Sequence, residues 1–334
     1  MSEFHIEVVR IGEVTKHPNA DSLSMTMVHG GYPVLFKTGD YSTGDLATYI
    51  PIDAIVPDTE VWSFLGSSRR IRAKRLRGVF SMGLLAAAPI GAAEGDDVQE
   101  RLGITKYDPS EDAVSRGQNP GWINPDDEIA RPAQHVPVYD LEGLRRHPGA
   151  LIEGEQVVIT EKIHGENMRL YRDLDGELWV GSRTKWKRIE ANTAWSNWAR
   201  ANVGITDGIT RGMCLYGELY GNTDLKYDGA SLDRKLRVFD IYNAVCCAYL
   251  NHDHAVHLLE EYIVEFAGLE RVPLLYRGPW SADLMSLADG ASLIADHIRE
   301  GFVVRPIVER MHGQHRCVFK HVGEGYLTRK EKAQ

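Results

Sequence analysis

Over the first third of the chain, apolar and polar residues alternate in short runs. FHIEVVRI, SLSMTMVH, PVLFKTG, LATYIP and VFSMGLLAA carry strand character, and HPNAD, GG and STGD break them as turn-forming clusters. Residues 1–106 therefore predict a small β-barrel. Across residues 107–136 the composition shifts to Asp, Pro, Gly, Asn and Gln, with neither a helical nor a strand period, which predicts an interdomain linker. Strand-like runs then return over residues 137–334, in EQVVITEK, MRLYRDLDGELWVGSRT, MCLYGELYG, LRVFDIYN, GFVVRP and RCVFKHV, with a hairpin turn expected at Asp175-Gly176. Between them, Ala255, Leu258, Leu259, Tyr262, Ile263 and Phe266 fall at helical spacing, and a second helix is expected over residues 281–299. The expected fold class is α+β, an N-terminal barrel followed by a domain of largely antiparallel sheet with flanking helices.

Composition changes this picture little. A length of 334 residues suits two domains, and 43% hydrophobic with 25% charged residues matches a globular protein. The start MSEFHIEVVR has no apolar leader, and no run reaches the roughly 18 apolar residues of a membrane span, so a cytoplasmic location and no membrane partner are expected. Cys214, Cys246, Cys247 and Cys317 include no CxxC pair; a disulfide framework or zinc site is not expected, and Cys246 and Cys247 read as small core residues.

Charge matters more. The formal net charge of −9 argues against attraction of the whole molecule to nucleic acid, so such binding must come from a local patch. Arg69, Arg70, Arg72, Lys74, Arg75 and Arg77 form one, uninterrupted by any acid in a chain rich in acids. A solvated loop is the plain reading of such a run; phosphate binding is placed slightly ahead of it. The segments HPNADSL and LRGVFSMGLL around this run resemble the oligonucleotide-binding (OB) folds of the tRNA-binding type.

The sharpest chemical feature is EKIHGEN, residues 161–167, after the strand-like QVVIT. Lys162 stands where a strand gives way to a turn. A lysine amine that is desolvated near other cations loses its proton more readily and becomes a nucleophile. Gly165 would allow close backbone approach to a phosphate. By itself the segment equally suits an ordinary hairpin, and the chain holds neither GxGxxG nor a P-loop.

KIHGEN resembles the nucleotidyl-transfer motif Lys-x-(Asp or His)-Gly-x-Asn of the covalent nucleotidyltransferases, with His in the third place as in RNA ligases. Gly181-Ser182-Arg183-Thr184, LYGELYG around Glu218, RVFDIY around Phe239, EGFVVRP from Glu300 and VFKHV around Lys320 resemble the family's further motifs, in order. The resemblance spans residues 137–328 and implies an adenylyltransferase domain. It implies that Lys162 attacks the α-phosphorus of ATP and holds AMP. Glu161, Glu218, Phe239 and Lys320 would join it in binding ATP and AMP, with Glu218 at the ribose and Phe239 stacked on adenine. Glu300 and Glu218 would hold Mg²⁺ or Mn²⁺, Lys320 would neutralise charge on the α-phosphate, and Asn167 and Arg183 would position RNA ends. The fifth motif departs from the family's Lys-x-Lys, because Lys320 stands alone in Val318-Phe319-Lys320-His321-Val322.

Two histidine and tryptophan clusters receive plainer readings. His252, His254 and His257 suit a solvated helix start better than a metal site, and Trp186, Trp195 and Trp198 suit packing better than base stacking. The barrel precedes the ligase-like domain and 14 residues follow Lys320, an order that resembles RNA ligases with an N-terminal OB domain. The expected activity is ATP-dependent sealing of 3′-OH/5′-phosphate ends in RNA or an RNA-containing duplex, through lysyl-AMP and RNA-adenylate, with no protein partner indicated. The alternative is a noncatalytic RNA-binding protein with a degenerate ligase domain, which the single lysine of the fifth motif favours.

Overall fold

The computed structural model of the chain describes residues 4–107, 127–221, 225–227, 234–265 and 269–329, with 263–265 described by backbone only. Most of the expected linker, Phe266 and the side chain of Ile263 lie outside the described residues. Two compact units emerge: one of residues 4–107 with 143–149 and 327–329, the other of 127–142 and 150–326.

The first unit is antiparallel throughout its described strands. Glu7–Arg10, Leu46–Ile50 and Leu84–Ala87 form one sheet, and Leu23–Val28 pairs with Tyr32–Lys37 in another. Alternation explains the packing: Val9, Ala47, Tyr49 and Leu85 lie next to Val28, Val34 and Phe36, while Val8 and Ile50 turn to the other face and pack with Ile6 and Ile104. Within the basic run, Ile71 and Ala73 are buried while Arg72 and Lys74 are exposed, which is the same two-residue period. The strands Lys74–Leu76 and Val79–Ser81 then close a hairpin over Arg77 (φ 46°) and Gly78 (φ 90°). Two consecutive positive φ values suit the right-handed twist of a two-residue hairpin and explain the glycine there. The HPNAD turn docks on this hairpin: His17 Nε2 lies 2.9 Å from the Leu76 carbonyl, and Asn19 Nδ2 donates to the Arg77 carbonyl at 3.1 Å. The two segments that resembled an OB fold thus touch.

The second unit is built on two sheets. In the larger, Trp186–Lys187, Leu178–Gly181, Glu166–Arg172, Met213–Tyr220 and Lys235–Asn243 lie side by side, all antiparallel. Glu128–Ile129 adds to its edge beside Trp186–Lys187, so this end of the Pro- and Asp-rich segment is sheet despite its composition. The helices Ala194–Ala201 and His252–Glu265 cover one face; Trp195, Trp198, Ala255, Leu259 and Tyr262 pack there with Met168, Leu170, Leu215 and Val238. In the smaller sheet Gln156–Lys162 runs between Leu274–Pro279 and Gly301–Pro306, with Phe319–Val322 beyond the latter. The expected Asp175-Gly176 hairpin is present, with Gly176 at φ 96°.

Two expectations fail. Residues 281–299 are not one helix: a 3-10 segment, Ala282–Ala288, ends at Asp289-Gly290, and Ala291 then bridges to Ile298. Tertiary bonds overrule local propensity here, because the Ser292 hydroxyl and the Leu293 amide both turn to Glu161. Cys246 and Cys247 are exposed in a turn, not core, with Cys247 at φ 53°; Cys214 and Cys317 are buried, and all four thiols are free.

Candidate active site

A cavity of about 560 Å³ opens in the second unit and is lined by residues of both sheets and of the helix His252–Glu265. Lys162 is the last residue of its strand and pairs in register with Gly301. This pairing sets Glu300 beside it, and Lys162 Nζ meets Glu300 Oε1 at 2.7 Å. Gly301 is required by space: a Cβ there would lie 2.1 Å from the His321 carbonyl oxygen of the neighbouring strand. Gly165 has a similar reason. An added Cβ would come within 2.6 Å of the Leu219 carbonyl and 3.0 Å of Glu218 Cγ, so the glycine lets the KIHGEN turn lie against the Glu218 strand.

Glu218 faces Asn167 across adjacent strands, and both line the cavity with Lys162. Burial opposes the Lys162 charge, but Glu300 and then Glu218 outweigh it and raise the amine above its ordinary value. This overturns the expectation of a lysine made acidic by nearby cations. Burial would also raise Glu300, yet Lys162 and His164 hold it down at about 2. Glu218, which gains less from Lys162 than burial costs it, is pushed up to about 7. Lys320 is lowered by burial and by Lys162.

Phe239 reaches the cavity through a backbone irregularity. Tyr216 pairs with Asp240 and Gly217 with Val238, so Phe239 is the extra residue of a β-bulge. The bulge sets Phe239 and Asp240 towards the same neighbour: the Tyr139 ring lies 4.8 Å from that of Phe239, and its hydroxyl donates to Asp240 Oδ2 at 2.8 Å. Asp240 is fully buried and receives Arg305 and Arg316, each at 3.0 Å.

Lys320 lines the cavity and pairs with Val303 in register, while His321 turns away to stack on Phe302. Residues two apart share a face of a strand, and of the two flanking positions Val318 lines the cavity while Val322 does not. Neither flanking position carries a lysine, so Lys320 is the only lysine that this strand brings to the cavity. Arg183 also lines the cavity, 3.5 Å from Asp140.

Glu161 differs from its neighbours. Its carboxylate accepts from the Ser292 hydroxyl at 2.6 Å and the Leu293 amide at 2.8 Å and so holds a loop, while the residue also lines the cavity. His252 is not a solvated helix end like His254 and His257; it is half-buried on the cavity wall. Trp186, Trp195 and Trp198 are buried, as expected. In the first unit the basic run divides. Arg69 pairs with Asp58 and Arg70 with Asp53, while Arg72, Lys74, Arg75 and Arg77 are exposed.

The donor set fits a hard divalent ion. Glu300 Oε2 is buried without a hydrogen-bond partner, 3.6 Å from His164 Nδ1, and Glu218 shares the cavity. Among the described residues no cluster of three or more His, Cys, Asp or Glu forms a ready cage. One or two carboxylates plus substrate phosphates and retained water is how Mg²⁺ is ordinarily bound.

The family model for RNA ligase matches residues 155–322, which contain every strand of this cavity named above. The chain belongs to the RNA ligase family. A model for an OB-fold domain matches residues 5–88 of the same chain. The fold is that of Naegleria gruberi RNA ligase. A mutant of that ligase with ATP and Mn superposes with a TM-score of 0.80 at 24% identity, covering 97% of this chain and 98% of that chain. A mutant with AMP and Mn gives 0.78 and the form with PPi 0.77, both at 24% identity and the same coverage. Comparison with curated proteins by sequence finds no match.

Sequence reasoning missed Tyr139, Asp240, Arg305, Arg316 and His252. The one available signal was the acid in RVFDIY, whose partners lie some 65 to 100 residues away in the chain.

Proposed function

We propose that the protein seals 3′-OH/5′-phosphate RNA ends, as in a nicked duplex, with ATP and through a phosphoramidate of AMP on Lys162. The observation that carries this reading is one cavity lined by a strand-end lysine, the Glu218 carboxylate, a bulge-presented phenylalanine and a second lysine, with a further carboxylate, Glu300, paired to the first lysine. The Naegleria gruberi ligase structures with ATP, AMP and PPi add support, since substrate, adenylate and leaving group would each use such a cavity.

In the first step the Lys162 amine attacks the α-phosphorus of ATP, the bond to the β-phosphate oxygen breaks, and pyrophosphate leaves. Lys162 must lose its proton first, and Glu300 opposes this in the free protein. Glu218, poised near neutrality, is the group able to exchange a proton close to Lys162. A divalent ion held by Glu300 and Glu218 would supply positive charge that competes with Lys162 for those carboxylates and offsets charge on the phosphates. Lys320 sits to stabilise the charge that develops on the α-phosphate oxygens. Phe239 provides a face for the adenine, and Glu218 is placed for the ribose.

In the second step an RNA 5′-phosphate oxygen attacks the AMP phosphorus and Lys162 departs as the amine, taking up a proton. In the third, the RNA 3′-oxygen attacks the 5′-phosphate phosphorus and AMP leaves. Asn167, whose Oδ1 is buried without a partner, and Arg183 are the polar groups placed to hold the ends. The exposed Arg72, Lys74, Arg75 and Arg77 are proposed to grip the RNA backbone.

The test is transfer of label from ATP radiolabelled at the α-phosphate to the protein, followed by sealing of a nicked duplex. Wild type should label and seal. Lys162→Ala should fold and lose the adduct at least about 10³-fold, and Lys162→Arg should fail as well because guanidinium keeps its proton. Full labelling of a folded Lys162→Ala protein would overturn the assignment. Absence of any adduct in wild type would favour the noncatalytic RNA-binding reading.

A further inference from the structure

Part of the cavity wall is apolar, made by Ala255, Val256 and Leu259 of the helix with Leu269 and Val272. One polar ring interrupts that helix wall, the imidazole of its first residue, His252. His252 Nδ1 lies 3.2 Å from Arg305 Nη2. A guanidinium only donates, so Nδ1 must be the acceptor, and the ring is the tautomer with its hydrogen on Nε2. Arg305 cannot turn away, because it is buried and held by Asp240 at 3.0 Å. Burial and Arg305 keep the imidazole neutral, lowering it to about 4. Nε2 has no protein hydrogen-bond partner among the described residues. The result is a fixed neutral donor on the wall of a cavity that also presents the Phe239 face.

Resting on the ATP reading above, we propose that His252 is a specificity-determining residue, donating from Nε2 to N1 of the adenine and so favouring ATP over GTP. The chemistry supports this choice of base. N3 and N7 accept in both purines and could not discriminate, but N1 accepts in adenine, whereas in guanine it carries a hydrogen with an amino group beside it. A fixed donor facing another donor leaves both unpaired in a desolvated site, which costs far more than the absence of one hydrogen bond in water. Asp240, Arg305 and His252 then form a chain in which the buried carboxylate fixes the guanidinium, and the guanidinium fixes the tautomer that reads the base.

The experiment measures lysyl-nucleotide formation by the full chain with ATP, with GTP and with deaza-ATP analogues that each replace one ring nitrogen by C–H. His252→Ala should raise KM for ATP about tenfold with kcat little changed, and should reduce the preference for ATP over GTP by about the same factor. His252→Gln, which can return a donor near the Nε2 position, should recover part of both. In wild type, 1-deaza-ATP should show the raised KM while 3-deaza-ATP and 7-deaza-ATP do not, and that penalty should vanish in His252→Ala. Unchanged KM and nucleotide preference in His252→Ala would overturn the proposal. So would equal losses in kcat for the Ala and Gln variants with no deaza analogue discriminated by wild type, an outcome that leaves His252 only a prop for Arg305. Failure of wild type to form any adduct with ATP would overturn the ATP reading and this one together, whereas the preceding results sink this one alone.

Discussion

The cavity of the second unit and the basic hairpin of the first both gather charge, but they hold it in opposite ways. At the cavity, Lys162, Glu218, Glu300 and Lys320 are withdrawn from water, and the titration of each is shifted by burial and by one or more of the others. On the hairpin, Arg72, Lys74, Arg75 and Arg77 stand in solvent. Buried charges act as one coupled unit in a medium where Coulomb forces are strong, so removing any one disturbs the rest. Exposed charges are screened and act nearly independently, each through release of a counterion from the nucleic acid backbone. The first arrangement suits chemistry at one phosphorus atom. The second suits sequence-independent grip.

The largest expected departure concerns Glu300. Glu300→Ala should slow formation of the protein adduct by roughly 10²- to 10³-fold, since it removes both a metal anchor and the partner of Lys162. Its residual activity carries a second signature. Loss of the negative charge lowers the Lys162 pKa, so the rising limb of the pH–rate profile should move to lower pH than in wild type. A variant with the wild-type rate and an unmoved limb would show that the pair is ornamental.

Asp240 tests the buried network without touching a phosphate. Asp240→Ala removes the fully buried carboxylate that Arg305 and Arg316 share. Unfolding by denaturant should reveal a loss of about 3–5 kcal/mol. A loss near zero would mean that water or Glu309, which also contacts both arginines, can replace the carboxylate.

The hairpin should behave in the reverse manner. Replacing Arg72, Lys74, Arg75 and Arg77 by Gln should leave adduct formation from ATP unchanged while weakening RNA binding. The slope of log affinity against log salt should flatten by about one for each phosphate that the protein no longer neutralises. Replacing Arg70 should not alter that slope: it is tied to Asp53 at 2.7 Å and lies 3.6 Å over the Tyr107 ring, so the measurable effect is a stability loss of about 0.5 kcal/mol. Equal salt effects from both replacements would erase the distinction between the half-buried Arg70 and the exposed basic residues.

The smallest effect is expected at Cys246 and Cys247. Both are exposed in a turn, so the double Ser substitution should shift stability by no more than about 0.5 kcal/mol, as read by thermal unfolding. A larger loss would return these residues to the packing role that their sequence neighbours suggested.

Alternating polarity and a glycine-punctuated motif were enough to read the strand ending at Lys162, the antiparallel character of both units, and the family. These features are local, and a strand's period or a motif's spacing is written within a dozen residues. The amphipathic helix with Ala255, Leu259 and Tyr262 on its buried face was legible for the same reason. What the sequence could not express was pairing between distant segments. That Arg69 and Arg70 answer Asp58 and Asp53 while Arg72 and Lys74 face solvent depends on strand register. Similarly, residues 281–299 abandon a helix because Glu161, far away in the chain, takes the Ser292 hydroxyl and the Leu293 amide. The protonation of Lys162 is the clearest case. Its motif resembles that of a nucleophilic lysine, but only the approach of Glu300 and Glu218, the former brought by the pairing of Lys162 with Gly301, raises the amine above its ordinary value despite burial, because a charge in a buried site is set by the groups folded against it.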